Sequence, residues 1–154
     1  MSRPSSLGLG LQGFSSLSAE AIAVVRRNTE EVQGRGDFEL FQNLFAPNFI
    51  DHTPQRGFGT DRNAVRALYG AMRTAFPDFT PEIHFQVADG GMVTTYKTYH
   101  GTHNGPLLGH APTGKRVSFD SVDVMQVVEG RITAHWGVGD LLGLMIQIGA
   151  VPGL

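Results

Sequence analysis

The sequence predicts an α+β fold, with helices packed on one face of a curved antiparallel sheet. Helical periodicity fills the first half of the chain, and after Pro81 the apolar period changes to two, so helices precede a run of strands. Gly and Pro are abundant (20 and 8 residues), and the Gly excess lies in the last third, among the strands, where tight turns need it. A curved sheet closed by helices encloses a cone-shaped cavity, a natural site for a small molecule.

Ser18 is placed to cap a first helix whose inner face is Ile22, Val25, Thr29 and Val32, with Gly34 stopping it. Asp37 caps a second, short helix carrying Phe38, Phe41, Leu44 and Phe45, and residues 48–52 read as a short strand. Thr60 caps a third helix with the stripe Val65, Leu68, Tyr69, Met72 and Phe76, which Pro77 ends. Ile83, Phe85 and Val87 alternate with polar residues, as in a half-buried strand. Asp89-Gly90-Gly91 turns into a second strand over residues 92–100, and a Gly/Pro/His loop runs to Gly114. Two further strands, over 115–127 and 131–137, flank Glu129-Gly130, and Asp140 caps a last short helix.

At 154 residues the chain fits one domain, long enough to bury a core without disulfides or metal. Residues 1–17 read as a flexible tail and 18–150 as the domain. The net charge of −2, with only 17% charged residues, argues against a nucleic-acid partner. Cysteine is absent, which excludes thiolate metal sites and Cys nucleophiles. No apolar run reaches the ~18 residues of a membrane span, and a cytoplasmic location is expected. No P-loop, GxSxG or HExxH pattern occurs, and neither a cofactor nor a metal is expected.

The chemistry is expected at the last hairpin. A three-residue loop, Val128-Glu129-Gly130, would place Val127 opposite Arg131 and therefore Asp123 opposite His135, on one face. A two-residue loop would set Asp123 opposite Trp136 and break the pair. A carboxylate beside an imidazole fixes its tautomer and suits it to general acid–base work near neutral pH. Asp123 and His135 are thus the candidate catalytic pair. His52 and Ser121 are candidate polar walls, and Tyr69, Phe76, Phe119, Met125 and Trp136 candidate apolar walls. Asp51 and His52 have opposite strand parity, so at most one of them faces the cavity. The sheet's second, partly apolar face suggests a partner subunit.

The motifs Phe49-Ile50-Asp51-His52, Ala75-Phe76-Pro77-Asp78-Phe79, Gly101-Thr102-His103-Asn104-Gly105, Pro112-Thr113-Gly114-Lys115, Glu129-Gly130-Arg131-Ile132, His135-Trp136 with Asp140, and Gln147-Ile148-Gly149 follow in a fixed order. In that order the chain resembles the SnoaL-like polyketide cyclases of the nuclear-transport-factor-2-like superfamily, over about residues 20–150. The resemblance implies a cone of antiparallel strands wrapped on three helices and a homo-oligomer, dimer or tetramer, formed through the outer sheet face. It also implies cofactor-free aldol cyclisation, in which an active-site acid moves protons around a polyketide carbonyl. In those cyclases the catalytic Asp lies two residues after the last-strand His; here Gly137 holds that place. A cyclase His facing the site from the preceding strand corresponds to Asp123. The expectation is that the acid has moved across the hairpin to Asp123.

The function read from the sequence is a cofactor-independent enzyme moving protons on a small aromatic or apolar carbonyl compound. Aldol cyclisation, isomerisation, hydration and retro-aldol cleavage share that machinery. The alternative is a non-catalytic small-molecule-binding module on the same fold. Water activation of the epoxide-hydrolase kind would need a second carboxylate, for which Asp51 is available.

Overall fold

The computed structural model describes residues 7–153. The α+β expectation holds, with one correction: the sheet is mixed. Helix α1 (Leu7–Arg27) continues into a π-helical turn, Asn28–Gln33. It is followed by α2 (Phe38–Leu44), strand β1 (Phe45–Asp51) and α3 (Arg62–Ala75). Strands β2 (Thr80–Asp89), β3 (Met92–Thr102), β4 (Arg116–Val128) and β5 (Arg131–Gly139) come next, and α4 (Leu141–Gln147) ends the fold. The strand order is β1-β5-β4-β3-β2. All neighbours are antiparallel except β1, which lies parallel to β5.

The helix starts follow from local chemistry. Asp37 accepts from the Leu40 N–H (3.0 Å), Asp61 from Ala64 (2.8 Å) and Asp140 from Gly143 (2.9 Å). Each satisfies an N–H that the first helical turn leaves unpaired. The third cap is Asp61 and not the expected Thr60. The first helix begins at Leu7 rather than at Ser18, whose hydroxyl instead accepts from Gly90 N–H at 3.1 Å; the first six residues of the expected tail lie outside the described residues. Gly34 ends the helix as expected, capping the π turn with an ordinary helical φ and donating its N–H to Thr29 O.

The helices bury their apolar stripes against the concave side of the sheet. Val25 and Val32 meet Phe41, Phe45, Met125 and Ile132 in one core, where the Phe41 and Phe45 rings stack 4.1 Å apart. A second core gathers Phe76, Phe79, Val117, Leu144 and Ile148 under the end of α3. Each such side chain removed from water contributes about 1.5–3 kcal/mol. The side chain of Gln147 ties α4 to β4 by accepting from Ser118 N–H (2.9 Å) and donating to Ser118 O (2.7 Å). That amide covers a strand edge which β5 has left by Gly139.

Two bulges change what the pattern predicted. In β2 the register slips at His84, so Ile83 pairs with Lys97 but Phe85 with Tyr96. The slip turns Phe85 and Val87 outward, at 55% and 57% exposure, against the half-buried expectation. In the last hairpin the turn is two residues, Glu129-Gly130, with φ of 51° and 77° and Val128 opposite Arg131. Thr133 is then the extra residue of a bulge, since Val127 pairs with Ile132 and Gln126 with Ala134.

Candidate active site

The expected direct pairing of Asp123 with His135 is corrected by this hairpin. Asp123 lies opposite Gly137, and His135 opposite Met125. The shorter turn shifts the register by one residue and the bulge by one more, so parity survives while direct opposition does not. Asp123 and His135 are therefore diagonal neighbours on the inner face, with His135 Nε2 3.9 Å from Asp123 Oδ2.

Each of the two has a closer partner. His135 Nδ1 lies 2.9 Å from Asp51 Oδ1. The parallel β1–β5 pairing creates this contact by setting Asp51 and His135 side by side. Asp51 Oδ1 also accepts from Thr53 N–H at 3.0 Å, and the Thr53 hydroxyl accepts from Gly137 N–H at 2.8 Å. Burial works to raise the Asp51 carboxyl, but the bonds from His135 and Thr53 outweigh it and hold it below the usual carboxylate range. An ionised carboxylate only accepts, so the imidazole turns an Nδ1–H toward Asp51 and its Nε2 toward Asp123.

Asp123 is paired with Lys97, whose ammonium lies 2.6 Å from Asp123 Oδ2. The inner face of β3 carries Val93, Thr95 and Lys97, all fully buried, with Tyr99 next. Burial opposes the ammonium form, but the Asp123 carboxylate outweighs it and Lys97 stays charged, above its ordinary value. Lys97 Nζ also lies 5.2 Å from the centre of the Tyr99 ring. The Tyr99 hydroxyl donates to Gln33 Oε1 (3.1 Å), and Asn28 Nδ2 donates to the Tyr69 hydroxyl (3.1 Å). The π turn thus turns two amides toward the sheet, and such turns are frequent at functional sites. Burial holds both phenols above their ordinary range.

Asp51, Asp123, His135, Tyr69, Tyr99 and Gln33 border a cavity of about 670 Å³ between the helices and the sheet, while Lys97 and Asn28 lie behind its wall. Its apolar wall includes Phe45, Phe49, Leu68, Met72, Phe79 and Leu144. Of the residues expected from the sequence, Asp123, His135, Tyr69, Phe119, Ser121 and Met125 line it. Three others do not. His52 and Trp136 stack on each other with ring centres 4.6 Å apart. They lie on the outer face, because each follows an inward residue, Asp51 and His135. Phe76 is buried in the second core against Gly101 and His103. Asp51 is the member of its pair that faces in, as parity allowed.

The pattern reading missed Asp51 as the partner of His135, along with Lys97, Tyr99, Gln33 and Thr53. Lys97 had a signal: it is the only charged residue within β3 and shares parity with Val93. The Asp51 contact had none, since parallel pairing across 84 residues leaves no local pattern. The loop histidines do not form a metal cluster: His103 is buried and meets Thr113 (3.0 Å), and His100 meets Glu82 (2.8 Å). Among the described residues no group of three or more His, Asp or Glu is placed to hold a metal.

Residues 23–148 match the family model of the SnoaL-like polyketide cyclases. The chain is 31% identical to a nogalonic acid methyl ester cyclase of Streptomyces nogalater, over 67% of this chain and 78% of that one. It is 30% identical to the aklanonic acid methyl ester cyclase DauD of a Streptomyces strain, over 83% of this chain and 81% of that one. Among solved structures it is similar to AclR of Streptomyces galilaeus, a candidate hydroxylase, with a TM-score of 0.79 and 25% identity, covering 89% of this chain and 85% of that one.

Proposed function

The chain belongs to the SnoaL-like polyketide cyclase family, and from that premise we propose an acid–base mechanism for it as a polyketide cyclase-like enzyme. The observation that carries the proposal is His135, held through Nδ1 by Asp51 and presenting Nε2 toward Asp123 in the cavity wall.

In this reading His135 Nε2 takes the proton from a carbon next to a substrate carbonyl, leaving an enolate. The enolate carbon attacks a second carbonyl of the same molecule, one carbon–carbon bond forms, and the new alkoxide recovers the proton from Nε2. No atom is gained or lost. Asp51 answers the positive charge that forms transiently on the ring and keeps it oriented. Asp123 and His135 are the catalytic pair, Asp51 is a positioning residue, and Tyr69, Phe119, Ser121 and Met125 are substrate walls. The apolar cavity fits an aromatic or polycyclic carbonyl compound, and isomerisation, hydration or retro-aldol cleavage would use the same groups.

The test is incubation with aklanonic or nogalonic acid methyl ester, followed by chromatography and mass spectrometry. Ring closure gives a new peak of unchanged mass with wild type and none with His135→Gln. Binding without conversion by either protein favours the alternative, a non-catalytic binding module.

A homo-oligomer belongs to the same proposal. Its support is the outer sheet face, where Ile50, Phe85, Val87, Val122 and Val138 are exposed. Sedimentation of wild type beside Val122→Lys tests it. No described helix is long and apolar enough to cross a membrane. The cytoplasmic location expected from the sequence stays a proposal, which cell fractionation tests.

A further inference from the structure

We propose that Arg56 selects the form of the substrate's carboxyl group: its guanidinium, at the mouth of the cavity, takes a free carboxylate in preference to a methyl ester. The inference rests on the functional reading above and adds a substrate class to it, an aromatic carbonyl compound that keeps an ionised carboxyl group.

The cavity has a buried floor and an exposed rim. Phe45, Phe49, Met125 and Asp123 in its lining are buried, whereas Thr53, Gln55, Arg56, Leu108 and Leu141 are exposed. One side of the rim is the segment 52–60, between β1 and α3. Its ends are tied together, because Asp51 N–H donates to Thr60 O at 2.8 Å. Its start is tied to the site, because Asp51 Oδ1 accepts from Thr53 N–H. Phe58 N–H donates to Gln55 O at 3.0 Å and Gly57 has a φ of 87°, so residues 55–58 form a tight turn with glycine at its third position. Arg56 is the second residue of that turn, and the turn fixes where its side chain starts.

Arg56 is the only Lys or Arg in the cavity lining among the described residues. It forms no ion pair with any described carboxylate. Arg62 and Arg73 on α3 are occupied by the backbone carbonyls of Phe45 and Gln33. Two carboxylates also line the cavity, Asp51 and Asp123, and they set the ligand's orientation. Asp51 is held by His135 and Thr53, and Asp123 by Lys97, so neither is available to neutralise Arg56. A ligand carboxylate beside them would meet like charge, so the anionic end lies at the rim and the reacting carbonyl beside His135. A guanidinium presents parallel N–H donors that match both oxygens of a carboxylate, whereas a methyl ester has lost the charge and the second equivalent oxygen. The two cyclases compared above are named for methyl esters, in which this carboxyl is capped. An unpaired Arg56 favours the uncapped form.

The experiment titrates aklanonic acid and its methyl ester at equilibrium, at neutral pH and low salt, into wild type, Arg56→Gln and Arg56→Glu. Arg56 is exposed and unpaired, so both variants are expected to fold, which circular dichroism checks. Wild type is expected to bind the acid about fivefold more tightly than the ester, the upper range of an exposed ion pair. That preference should shrink in about 0.5 M salt. Arg56→Gln should keep its affinity for the ester and lose the preference, and Arg56→Glu should reverse it. Equal binding of acid and ester by wild type, a preference for the ester, an acid preference that survives in Arg56→Glu, or failure to bind either compound would each overturn the proposal. Conversion of the ester without an acid preference would remove this inference and leave the functional reading standing. An acid preference that Arg56→Gln abolishes, with neither compound converted, would do the reverse.

Discussion

His135 Nε2 lies 2.9 Å from the point where a β-carbon on Gly137 would stand. The same point is 3.0 Å from Cε1 of the ring and 3.1 Å from the Asp123 β-carbon. Glycine at 137 is therefore what admits the ring between the two carboxylates. The resemblance placed a catalytic carboxylate at this position; here the space beside it is taken by the imidazole itself.

Gly137→Ala is expected to push the ring off Asp51 and to lower turnover by about 10²-fold, the usual cost of a displacement near 1 Å in a reacting group. Steady-state kinetics on the variant, with circular dichroism to show that it is folded, check this. Gly137→Asp is expected to fare no better, because a longer side chain meets the same ring.

Asp51→Asn keeps the shape but presents either an amide N–H or a weaker acceptor to Nδ1. Turnover is expected to fall by about 10²-fold or more, with substrate affinity changed less. Measuring kcat and KM separately distinguishes this from a loss of binding.

Asp51 also links stability to pH. Its folded carboxyl is held below the ordinary value of about 4, so its contribution is present above that value and is lost as pH falls through the folded one. The stability advantage of wild type over Asp51→Asn, followed by urea unfolding from pH 5 downward, should shrink as the pH falls below about 4.

Breaking the buried pair from one side should be expensive. Lys97→Met alone is expected to cost about 3–5 kcal/mol, because it strands the Asp123 carboxylate, whereas Lys97→Met/Asp123→Leu is expected to be near neutral. Urea titrations of the single and double variants give both numbers.

The hairpin offers a stabilising change. Glu129 sits at φ 51°, an uncommon backbone for Glu, at the first position of a two-residue turn that favours Asn-Gly. Glu129→Asn is expected to add about 0.5–1 kcal/mol to stability without altering activity, read as a rise in Tm.

Local chemistry was legible wherever it acts over a few residues. Asp37 and Asp140 announce their helices, and the stripe from Val65 to Met72 announces α3. The strands of the second half were legible from their period of two. The reading failed where one residue of backbone decides a face: the bulge at His84 turned Phe85 and Val87 outward, and the bulge at Thr133 set Asp123 beside Gly137. It failed again where contacts are remote. Asp51 meets His135 only because β1 closes the sheet in parallel. Lys97 could have been suspected as a lone charge on an inward face, but its partner depended on the β3–β4 register.

The most direct test of the account is the turnover of aklanonic acid methyl ester by His135→Gln beside wild type. The account predicts that the variant binds the ester within about threefold of wild type and converts it at least about 10²-fold more slowly, the share that general acid–base catalysis supplies. Conversion at the wild-type rate would contradict it, and the chemistry would then have to be sought elsewhere in the cavity.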